Sequence, residues 1–422
     1  METYTSILGQ IFNIIMISIQ LLVIFITLYY FILAIIGMQR KPEKKDYVPV
    51  SKFAIVVAAH NEEQVIVPLI DNLKSLNYPR ALFDIYVVAD NCTDETAFLA
   101  RRAGANVYQR YNDTKRGKGY ALEWLFAKVY ALNKDYDAFV IFDADNLVKD
   151  NFLLEMNNKL CEGEKIIQGY IDSKNPYDTW VTNTFSIAFW YMNRLIQLAR
   201  FNLGISNTLA GTGMCISYDV LKKVGWGAHS LTEDLEFTMK ALLYDVKTSW
   251  AHDAVVYDEK PLTFMQSCRQ RKRWAQGQVD VAGRYLILLL EKGFRERKWM
   301  FFDAAIHLFQ PFFTILGTFF LLIHGLSFLH PYYTNLFYYF PWISWQIVSG
   351  AIMVFPAIAL FLDRVPWRAY WGLILYPVFM YSWIPIIFAG FLHRNRKEWS
   401  HTRHTRSISY KEIITEEKVA SK

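Results

Sequence analysis

The stretch Phe139-Val140-Ile141-Phe142-Asp143-Ala144-Asp145 places two carboxylates directly after four consecutive apolar residues. A short apolar run of this kind is typical of a buried strand in an α/β sheet. Ligands of such sheets bind beyond the carboxyl ends of the strands. Because side chains alternate along an extended chain, Asp143 and Asp145 project to the same side. The stretch therefore predicts a strand that ends at an oxygen-ligand site for Mg²⁺ or Mn²⁺.

Similar apolar runs and the helical stretches between them extend this unit in both directions along the chain. The predicted strands are Phe53–Ala59, Ile85–Ala89, Ala105–Gln109, Phe139–Phe142 and Ile166–Gly169. Amphipathic helical stretches fit between them at about 62–75, 94–103, 118–132 and 150–160. Strands that alternate with helices in this way predict a doubly wound α/β domain.

Two further predicted strands also end in acidic clusters, Ala59-His60-Asn61-Glu62-Glu63 and Asp90-Asn91-Cys92-Thr93-Asp94. Helix capping is a simpler explanation, with Asn61 capping one helix and Thr93 or Asp94 capping the next. Carboxylates gathered at one edge of a sheet repel one another unless a metal ion or hydrogen-bond donors hold them. Three clusters at one edge therefore favour a ligand site, and capping is compatible with it.

The segment Arg116-Gly117-Lys118-Gly119 precedes the third predicted helix. Its glycines permit close backbone approach, and a helix N-terminus beside Lys118 favours an anion such as a pyrophosphate. The spacing differs from G-x-x-x-x-G-K-[ST], which argues against a P-loop NTPase.

The segment Thr232-Glu233-Asp234 begins a helical stretch that continues to Tyr244. An N-cap followed by acidic residues in the first turn is sufficient to explain this composition. The functional interpretation is that it supplies a general base. The residues alone leave both readings open.

The segment Gln270-Arg271-Lys272-Arg273-Trp274 brings an amide, a guanidinium and an indole to one face of a helix, at Gln270, Arg273 and Trp274. Arginine forms paired hydrogen bonds with phosphate, and tryptophan offers an apolar face to a sugar ring. The alternative is a basic patch beside a membrane.

Charged residues make up only 20% of the chain and apolar residues 53%. Residues 3–39, 304–362 and 369–393 contain no Asp, Glu, Lys or Arg. This distribution excludes a wholly soluble protein and a channel made only of membrane helices. The net charge of +6 is too small and too scattered to indicate a nucleic-acid partner, and the four cysteines form no C-x-x-C pair, which favours a reducing compartment.

The apolar run from Ile7 to Met38 is long enough to span a bilayer, and the basic residues that follow it predict a cytoplasmic location from about residue 40 onward. Residues 304–330 and 341–362 predict two more spans joined by an outside loop at 330–339. For 369–393, which contains Pro377 and Pro385, we predict an interfacial helix and a broken or re-entrant segment that returns the basic tail to the cytoplasm. A plain fourth span is the alternative.

Two stretches rich in aromatic and basic residues, Trp180 to Asn202 and Leu262 to Leu290, follow the predicted α/β unit. Basic amphipathic helices with Trp and Phe lie in the membrane interface in some proteins. A helix packed on the sheet would show the same pattern, so both interpretations remain open.

The order of these motifs between membrane helices resembles the processive family 2 glycosyltransferases, which include cellulose, chitin, hyaluronan and poly-N-acetylglucosamine synthases. The resemblance covers about residues 50–280 by motif and the rest by topology. It rests on Ala58-Ala59-His60-Asn61-Glu62, Asp90, Lys118, Asp143-Ala144-Asp145, Thr232-Glu233-Asp234 and Gln270-x-x-Arg273-Trp274. The resemblance implies a cytoplasmic GT-A-like domain inserted between transmembrane helices, with amphipathic interface helices.

The resemblance also implies roles for particular residues. Asp234 would be the catalytic base, and Asp145 would be the ligand of Mg²⁺ or Mn²⁺. The nucleotide-sugar would contact Ala58, His60, Glu62, Asp90, Lys118 and Asp143, with Ala58 and His60 standing where the family commonly has Pro and Tyr. The acceptor and the diphosphate would contact Gly211, Thr212, Glu233, Gln270, Arg273 and Trp274.

The implied function is inverting transfer from a UDP-sugar to a growing β-linked polysaccharide that the enzyme exports across the plasma membrane. A non-processive enzyme with a lipid acceptor is the alternative, and a binding protein without catalysis is a third hypothesis. Membrane lipids are expected partners, and an accessory secretion subunit is compatible with the sequence. The domains would be a transmembrane helix (1–40), a nucleotide-sugar-binding half (41–178), an acceptor half (179–295), a membrane region (296–393) and a basic cytoplasmic tail (394–422).

Overall fold

A mixed eight-stranded sheet organises the computed structural model, which describes residues 7–327, 350, 354–394 and 406–420. The strands are β1 (Phe53–Ala59), β2 (Phe83–Asp90), β3 (Asn106–Arg110), β4 (Ala138–Asp143), β5 (Leu147–Val148), β6 (Ile166–Ser173), β7 (Met214–Ser217) and β8 (Thr248–Asp258). Their order across the sheet is β3-β2-β1-β4-β7-β6-β8-β5. The five predicted strands correspond to β1, β2, β3, β4 and β6.

Six helices pack on the sheet, and all but the fifth of them lie close to predicted positions; the fifth was not predicted. They are α2 (Ile66–Lys74), α3 (Thr96–Arg102), α4 (Lys118–Tyr130), α5 (Phe152–Cys161), α8 (Tyr218–Val224) and α9 (Glu233–Leu243). The other helices named below are α1 (Ile7–Gly37), α6 (Trp180–Tyr191), α7 (Leu198–Asn202), α10 (Phe264–Glu296) and α11 (Trp299–Ser327).

The prediction of an α/β domain is confirmed, but the doubly wound description needs a correction. Strands β1 to β4 are parallel where they pair, whereas β7 runs antiparallel to both β4 and β6. Strand β5 is likewise antiparallel to β8. The four residues of β7 follow a glycine-containing loop and give too short an apolar run to reveal a strand or its direction.

The sheet is buried on both faces because alternate residues of its central strands enter different cores. In β1, Phe53 and Ile55 pack toward α2, α3 and α5, while Ala54 and Val56 pack toward α4, α8 and α9. The register of the parallel strands aligns Ala58 of β1 with Asp143 of β4. The carboxyl ends of these strands therefore meet at one edge of the sheet.

Two helices among the described residues are long and apolar enough to cross a membrane, at Ile14–Gly37 and Trp299–Phe320. The helical residues 354–362 overlap the predicted span at 341–362, whose other residues, apart from 350, lie outside the described part of the chain, as does the predicted loop at 330–339. A third span is possible by composition at Trp367–Leu392, where two helical pieces are bent by 57°. This bend agrees with the predicted broken segment.

Helices α6 and α7 form one continuous rod joined by a π-helical turn, Met192–Gln197. Two buried ion pairs tie this rod to the predicted membrane segments. Arg194 in the π-helical turn lies 3.1 Å from Asp363, and Arg200 in α7 lies 3.1 Å from Asp303 in α11. Removal of one partner from such a pair leaves an uncompensated buried charge. Both pairs therefore fix the rod against the segments that contain Asp363 and Asp303.

The C-terminal helix Tyr410–Ala420 lies against the α/β domain. Ile413 is buried against Leu147 of β5 and Tyr257 of β8. The tail therefore packs against the β8–β5 edge of the sheet.

Candidate active site

A cavity of about 1290 Å³ opens at the carboxyl edge of the sheet and continues between α10, α11 and the bent C-terminal helices. Every residue predicted for the site lines it. These residues are Ala58, His60, Glu62, Asp90, Lys118, Asp143, Asp145, Gly211, Thr212, Glu233, Asp234, Gln270, Arg273 and Trp274.

The end of β2 contributes a buried carboxylate that is already paired. Asp90 forms an ion pair with Arg110, the residue aligned with it on β3. Burial raises the pKa of Asp90, although the guanidinium of Arg110 opposes this shift. His60 Nδ1 lies 2.7 Å from the backbone oxygen of Asp90 and so joins the ends of β1 and β2. Sequence reasoning missed Arg110, because its partner is identified only by strand register.

The capping hypothesis is not supported, because the N-cap residues of α2 and α3 are Val65 and Glu95, and neither makes a side-chain capping hydrogen bond. The carboxylate of Asp94 accepts a hydrogen bond of 3.0 Å from the backbone N–H of Thr96, at the start of α3. Asn61 does not cap a helix; its side-chain oxygen accepts a 2.8 Å hydrogen bond from the backbone N–H of Thr93. Asn61 therefore links the loops that follow β1 and β2.

Lys118 is the cation at the centre of the cavity. Its Nζ lies 2.6 Å from an oxygen of Asp143 and 3.7 Å from one of Glu233. It also donates a 2.5 Å hydrogen bond to the backbone oxygen of Gly211. Burial would lower the pKa of Lys118, but these carboxylates outweigh burial and raise it. Lys118 thus links the end of β4, the start of α9 and the loop before β7.

The two carboxylates of the D-x-D differ in environment. The side chain of Asp143 is 37% exposed, whereas Asp145 is buried and accepts a 3.1 Å hydrogen bond from the backbone N–H of Glu259. Within the described ranges, no group of three His, Cys, Asp or Glu side chains could hold a metal ion. Mg²⁺ and Mn²⁺ sites commonly use one or two carboxylates and complete the shell with water and substrate phosphates. The pair fits that donor set.

Asp234 lies in the first turn of α9, beside a second acid. Burial raises the pKa of Asp234 to about 7, and the negative charge of Glu233 adds to the shift. A Cβ built on Gly211 would lie 3.5 Å from a carboxylate oxygen of Asp234, and Gly211 has φ +86°. The loop before β7 therefore approaches Asp234 through a glycine whose backbone conformation is rare for L residues. A carboxylate with a pKa near neutrality suits proton transfer.

The N-cap explanation for this segment is not supported, because the hydroxyl of Thr232 makes no capping hydrogen bond. That hydroxyl is buried against Gly277 of α10, where a Cβ would lie only 2.5 Å away. Among the residues described, Thr232 Oγ1, Gln270 Oε1 and Arg273 Nε are buried without a hydrogen-bond partner. Each such atom costs roughly 1–3 kcal/mol unless a ligand or water satisfies it. All three residues line the cavity, which therefore suits a polar ligand at this end.

The five-residue basic segment divides between the cavity and the core. Trp274 lines the cavity and packs at ring distances of 5.7 Å from Phe185 and 6.3 Å from Phe189. Arg271 is fully buried and donates a 2.8 Å hydrogen bond to Ser382 Oγ in the break between two C-terminal helices. Arg271 thus supports the bent segment, a contact that the sequence did not indicate.

Polar side chains continue along the cavity where it passes α11. His307, Gln310 and Thr314 are spaced three and four residues apart, so they share one face of a helix that is mostly apolar. The lining of the cavity also includes Phe379 and Trp383. This polar face lies in a predicted span without charges, and its spacing is the sequence signal that could have revealed it.

Comparisons with known proteins agree on one family. A family model described as "Glycosyltransferase like family 2" matches residues 49–277 of the chain. The chain is 28% identical over 257 residues to the beta-monoglucosyldiacylglycerol synthase of Nostoc sp.. The matched region is 58% of this chain and 53% of that protein. It is 24% identical over 246 residues to the poly-beta-1,6-N-acetyl-D-glucosamine synthase of Staphylococcus epidermidis, which covers 56% of this chain and 57% of that protein. The chain therefore matches a little over half the length of these curated relatives.

A solved structure extends the likeness to the fold. The chain superposes on a mannosyltransferase from Pyrobaculum calidifontis in complex with GDP-Man and Mn²⁺, with a TM-score of 0.57 and 16% identity. The superposition covers 92% of this chain and 99% of the other. The architecture is therefore a GT-A-like α/β fold with a mixed sheet.

Proposed function

The chain belongs to the glycosyltransferase-like family 2, and from this membership we propose that it transfers a sugar, with inversion, from a UDP-sugar to a growing β-linked polysaccharide. We place the reaction at the cytoplasmic face of the plasma membrane, with export of the product past the membrane helices. The observation that supports a polysaccharide as the acceptor is the polar face formed by His307, Gln310 and Thr314. This face continues from the catalytic cavity along a predicted membrane span.

The donor occupies the strand-end half of the cavity in this proposal. Ala58, His60, Glu62 and Asp90 surround the nucleoside part at the ends of β1 and β2. Lys118 and Arg273 face the diphosphate. Mg²⁺ or Mn²⁺, held by Asp145 with help from Asp143, would supply positive charge to the departing diphosphate.

Asp234 takes the proton from the acceptor hydroxyl. The acceptor oxygen then forms a bond with the anomeric carbon of the sugar as the bond from that carbon to the diphosphate breaks, and UDP leaves with the electron pair. A single displacement inverts the anomeric configuration. Gln270 and Thr232 present unpartnered polar atoms to the acceptor end, and Trp274 offers a ring face there.

A membrane helix that faces lipid chains does not need a row of hydrogen-bonding side chains. A helix that faces a hydrated glycan does need them, because the glycan hydroxyls form hydrogen bonds. The indole of Trp383, which also lines the cavity, suits sugar rings, which stack on aromatic faces. A lipid acceptor is the second candidate, since one relative is a beta-monoglucosyldiacylglycerol synthase and the same lining contains Met380 and Ile387.

Purified protein should be screened for UDP release from UDP-glucose, UDP-N-acetylglucosamine and UDP-glucuronate with Mg²⁺ or Mn²⁺, followed by sizing of the product. A long polymer supports the main proposal. A single sugar on an extracted lipid supports the second candidate. No metal-dependent UDP release from any donor would favour a binding protein without catalysis.

We expect kcat/KM to rise with pH up to about 7 and then to level off. The carboxyl of Asp234 has a pKa of about 7, and only its ionised form can accept a proton. Measurements of kcat/KM between pH 5 and 9 test this expectation. Glu233→Gln removes the neighbouring negative charge and should move the rise in kcat/KM to lower pH. If kcat/KM depends on pH in the same way in the parent and in Glu233→Gln, Asp234 is excluded as the titrating group.

Trp274→Ala should shorten the product about three- to tenfold while donor hydrolysis changes less, because loss of one aromatic stacking contact of about 0.5–1.5 kcal/mol acts on the acceptor. Product sizing and UDP release on the same samples give the two values. Trp371→Ala is the control, since Trp371 is 66% exposed. Equal losses of elongation and hydrolysis would mean that Trp274 only supports the fold.

The tail should be inaccessible from outside the cell, because it packs on the domain that we place in the cytoplasm. Ser409 is exposed, and Ser409→Cys in a chain carrying Cys161→Ser should react with an impermeant thiol reagent only after permeabilisation. The parent chain with exposed Cys161 is the matched control on α5. Labelling of residue 409 in intact cells would contradict the re-entrant topology.

A further inference from the structure

Four residues from distant parts of the chain form a closed ring of hydrogen bonds behind the D-x-D. Lys174 Nζ donates to the backbone oxygen of Asp145 at 2.8 Å and to that of Arg406 at 3.1 Å. The backbone N–H of Arg406 donates to Glu259 Oε2 at 3.1 Å. The backbone N–H of Glu259 closes the ring by donating to Asp145 Oδ2 at 3.1 Å.

The ring recognises the tail through its backbone. Both the N–H and the C=O of Arg406 are used, while its guanidinium pairs separately with Asp178. Lys174 is only 2% exposed, so its ammonium depends on the protein for its hydrogen bonds. The two residues that bind Arg406 are the same two that bind Asp145, one at its backbone and one at its carboxylate.

An apolar contact fixes the tail immediately beyond the ring. Ile413 is 3% exposed and packs against Leu147, which lies two residues after Asp145. Tyr410 and Tyr257 lie 6.1 Å apart between ring centres, and Tyr257 is the residue of β8 aligned with Leu147. The tail thus packs against β5, which follows the D-x-D, and against β8, which leads to Glu259.

We propose that Lys174 and the tail residues Arg406, Tyr410 and Ile413 are positioning elements of the donor site, and that docking of the tail fixes the Asp145 carboxylate for the divalent cation. This inference rests on the proposed use of a metal-bound nucleotide. Undocking removes two hydrogen bonds, from Lys174 Nζ to the backbone oxygen of Arg406 and from the backbone N–H of Arg406 to Glu259 Oε2. Lys174 contacts the backbone oxygen of Asp145 and the backbone N–H of Glu259 contacts its carboxylate, so without the tail that carboxylate is held less firmly in one direction. The C-terminal segment would thereby couple the membrane region to donor binding.

Mn²⁺ binding in the presence of UDP, followed by electron paramagnetic resonance, tests the inference without sugar transfer. The variants are Ile413→Asp, Lys174→Met and a chain ending at residue 405. Lys411→Ala is the control, because Lys411 is exposed on the same helix. Loss of a residue that supports a metal ligand typically lowers metal affinity about 10–100-fold. We expect a loss in this range for the three variants, none for the control, and recovery when a peptide of residues 406–422 is added to the shortened chain.

A second readout separates positioning from general destabilisation. With saturating donor and Mn²⁺, kcat of Ile413→Asp should stay within about threefold of the parent value, whereas the Mn²⁺ concentration for half-maximal rate should rise. Full Mn²⁺ affinity in the shortened chain, or a kcat that falls without any change in Mn²⁺ dependence, would overturn this inference and leave the proposed function standing. If the parent chain binds no Mn²⁺ with UDP, both the inference and the proposed function fail.

Discussion

Replacing Asp234 with Asn is expected to lower sugar transfer by about 10²–10⁴-fold, which is the usual contribution of general-base catalysis. The amide has nearly the same shape as the carboxyl group but cannot accept the acceptor proton. UDP binding should remain within about threefold of the parent value, because the loss concerns the acceptor proton. Transfer rates and UDP titrations on the same preparations measure both quantities.

Folding provides an independent check on Asp234→Asn. Because the pKa of Asp234 is raised in the folded chain, its ionisation destabilises the fold increasingly as pH rises from its unfolded value of about 4 to about 7. The amide removes this cost, so the melting temperature at pH 8 should not fall. Asp71→Asn on α2 is the control, since the side chain of Asp71 is 63% exposed. An Asn variant with nearly full turnover would remove Asp234 from the mechanism.

The second large effect is expected from Asp145→Ala, which should weaken Mn²⁺ and UDP binding together. Loss of a supporting residue alone costs about 10–100-fold in metal affinity, and loss of the ligand itself should cost at least as much. Calorimetric titration of UDP at several Mn²⁺ concentrations measures the coupling. Asp150→Ala is the control, because Asp150 is an exposed acid just after β5, the strand that follows the D-x-D.

The contrast between the two variants is informative. Asp234→Asn should separate transfer from binding, whereas Asp145→Ala should lose both. If Asp145→Ala binds UDP with an unchanged Mn²⁺ requirement, the interpretation of the D-x-D as a metal site is wrong.

The parts of the fold that the sequence predicted share one property. Strands β1 and β4 are apolar runs with the pattern of central strands, and local sequence determines such segments. Strands β5, with two residues, and β7, with four, form because neighbouring strands are already in place. Their direction depends on pairing with residues far away in the chain, which no local pattern encodes.

The same distinction applies to the candidate site. Its acids and its Lys118 follow strands or precede helices, positions that topology brings together. Arg110 and Glu259 reach the site by strand register and by the path of β8, and Lys174 does so through contact with a tail 232 residues later. The sequence contains these residues but carries no sign that they are neighbours.

The π-helical turn between α6 and α7 constrains how this protein can vary in length. Each residue of an α-helix turns the chain by about 100°, and a π turn accommodates one extra residue per turn. The turn therefore preserves the rotational phase between the half of the rod that faces the cavity and the half that presents Arg200 to Asp303. Loss of one residue at 192–197 would convert the π turn into an α turn and leave the rotational phase of the two halves nearly unchanged. A one-residue deletion should thus be tolerated within these six residues, whereas a deletion within α6 would rotate Arg200 by about 100° away from Asp303.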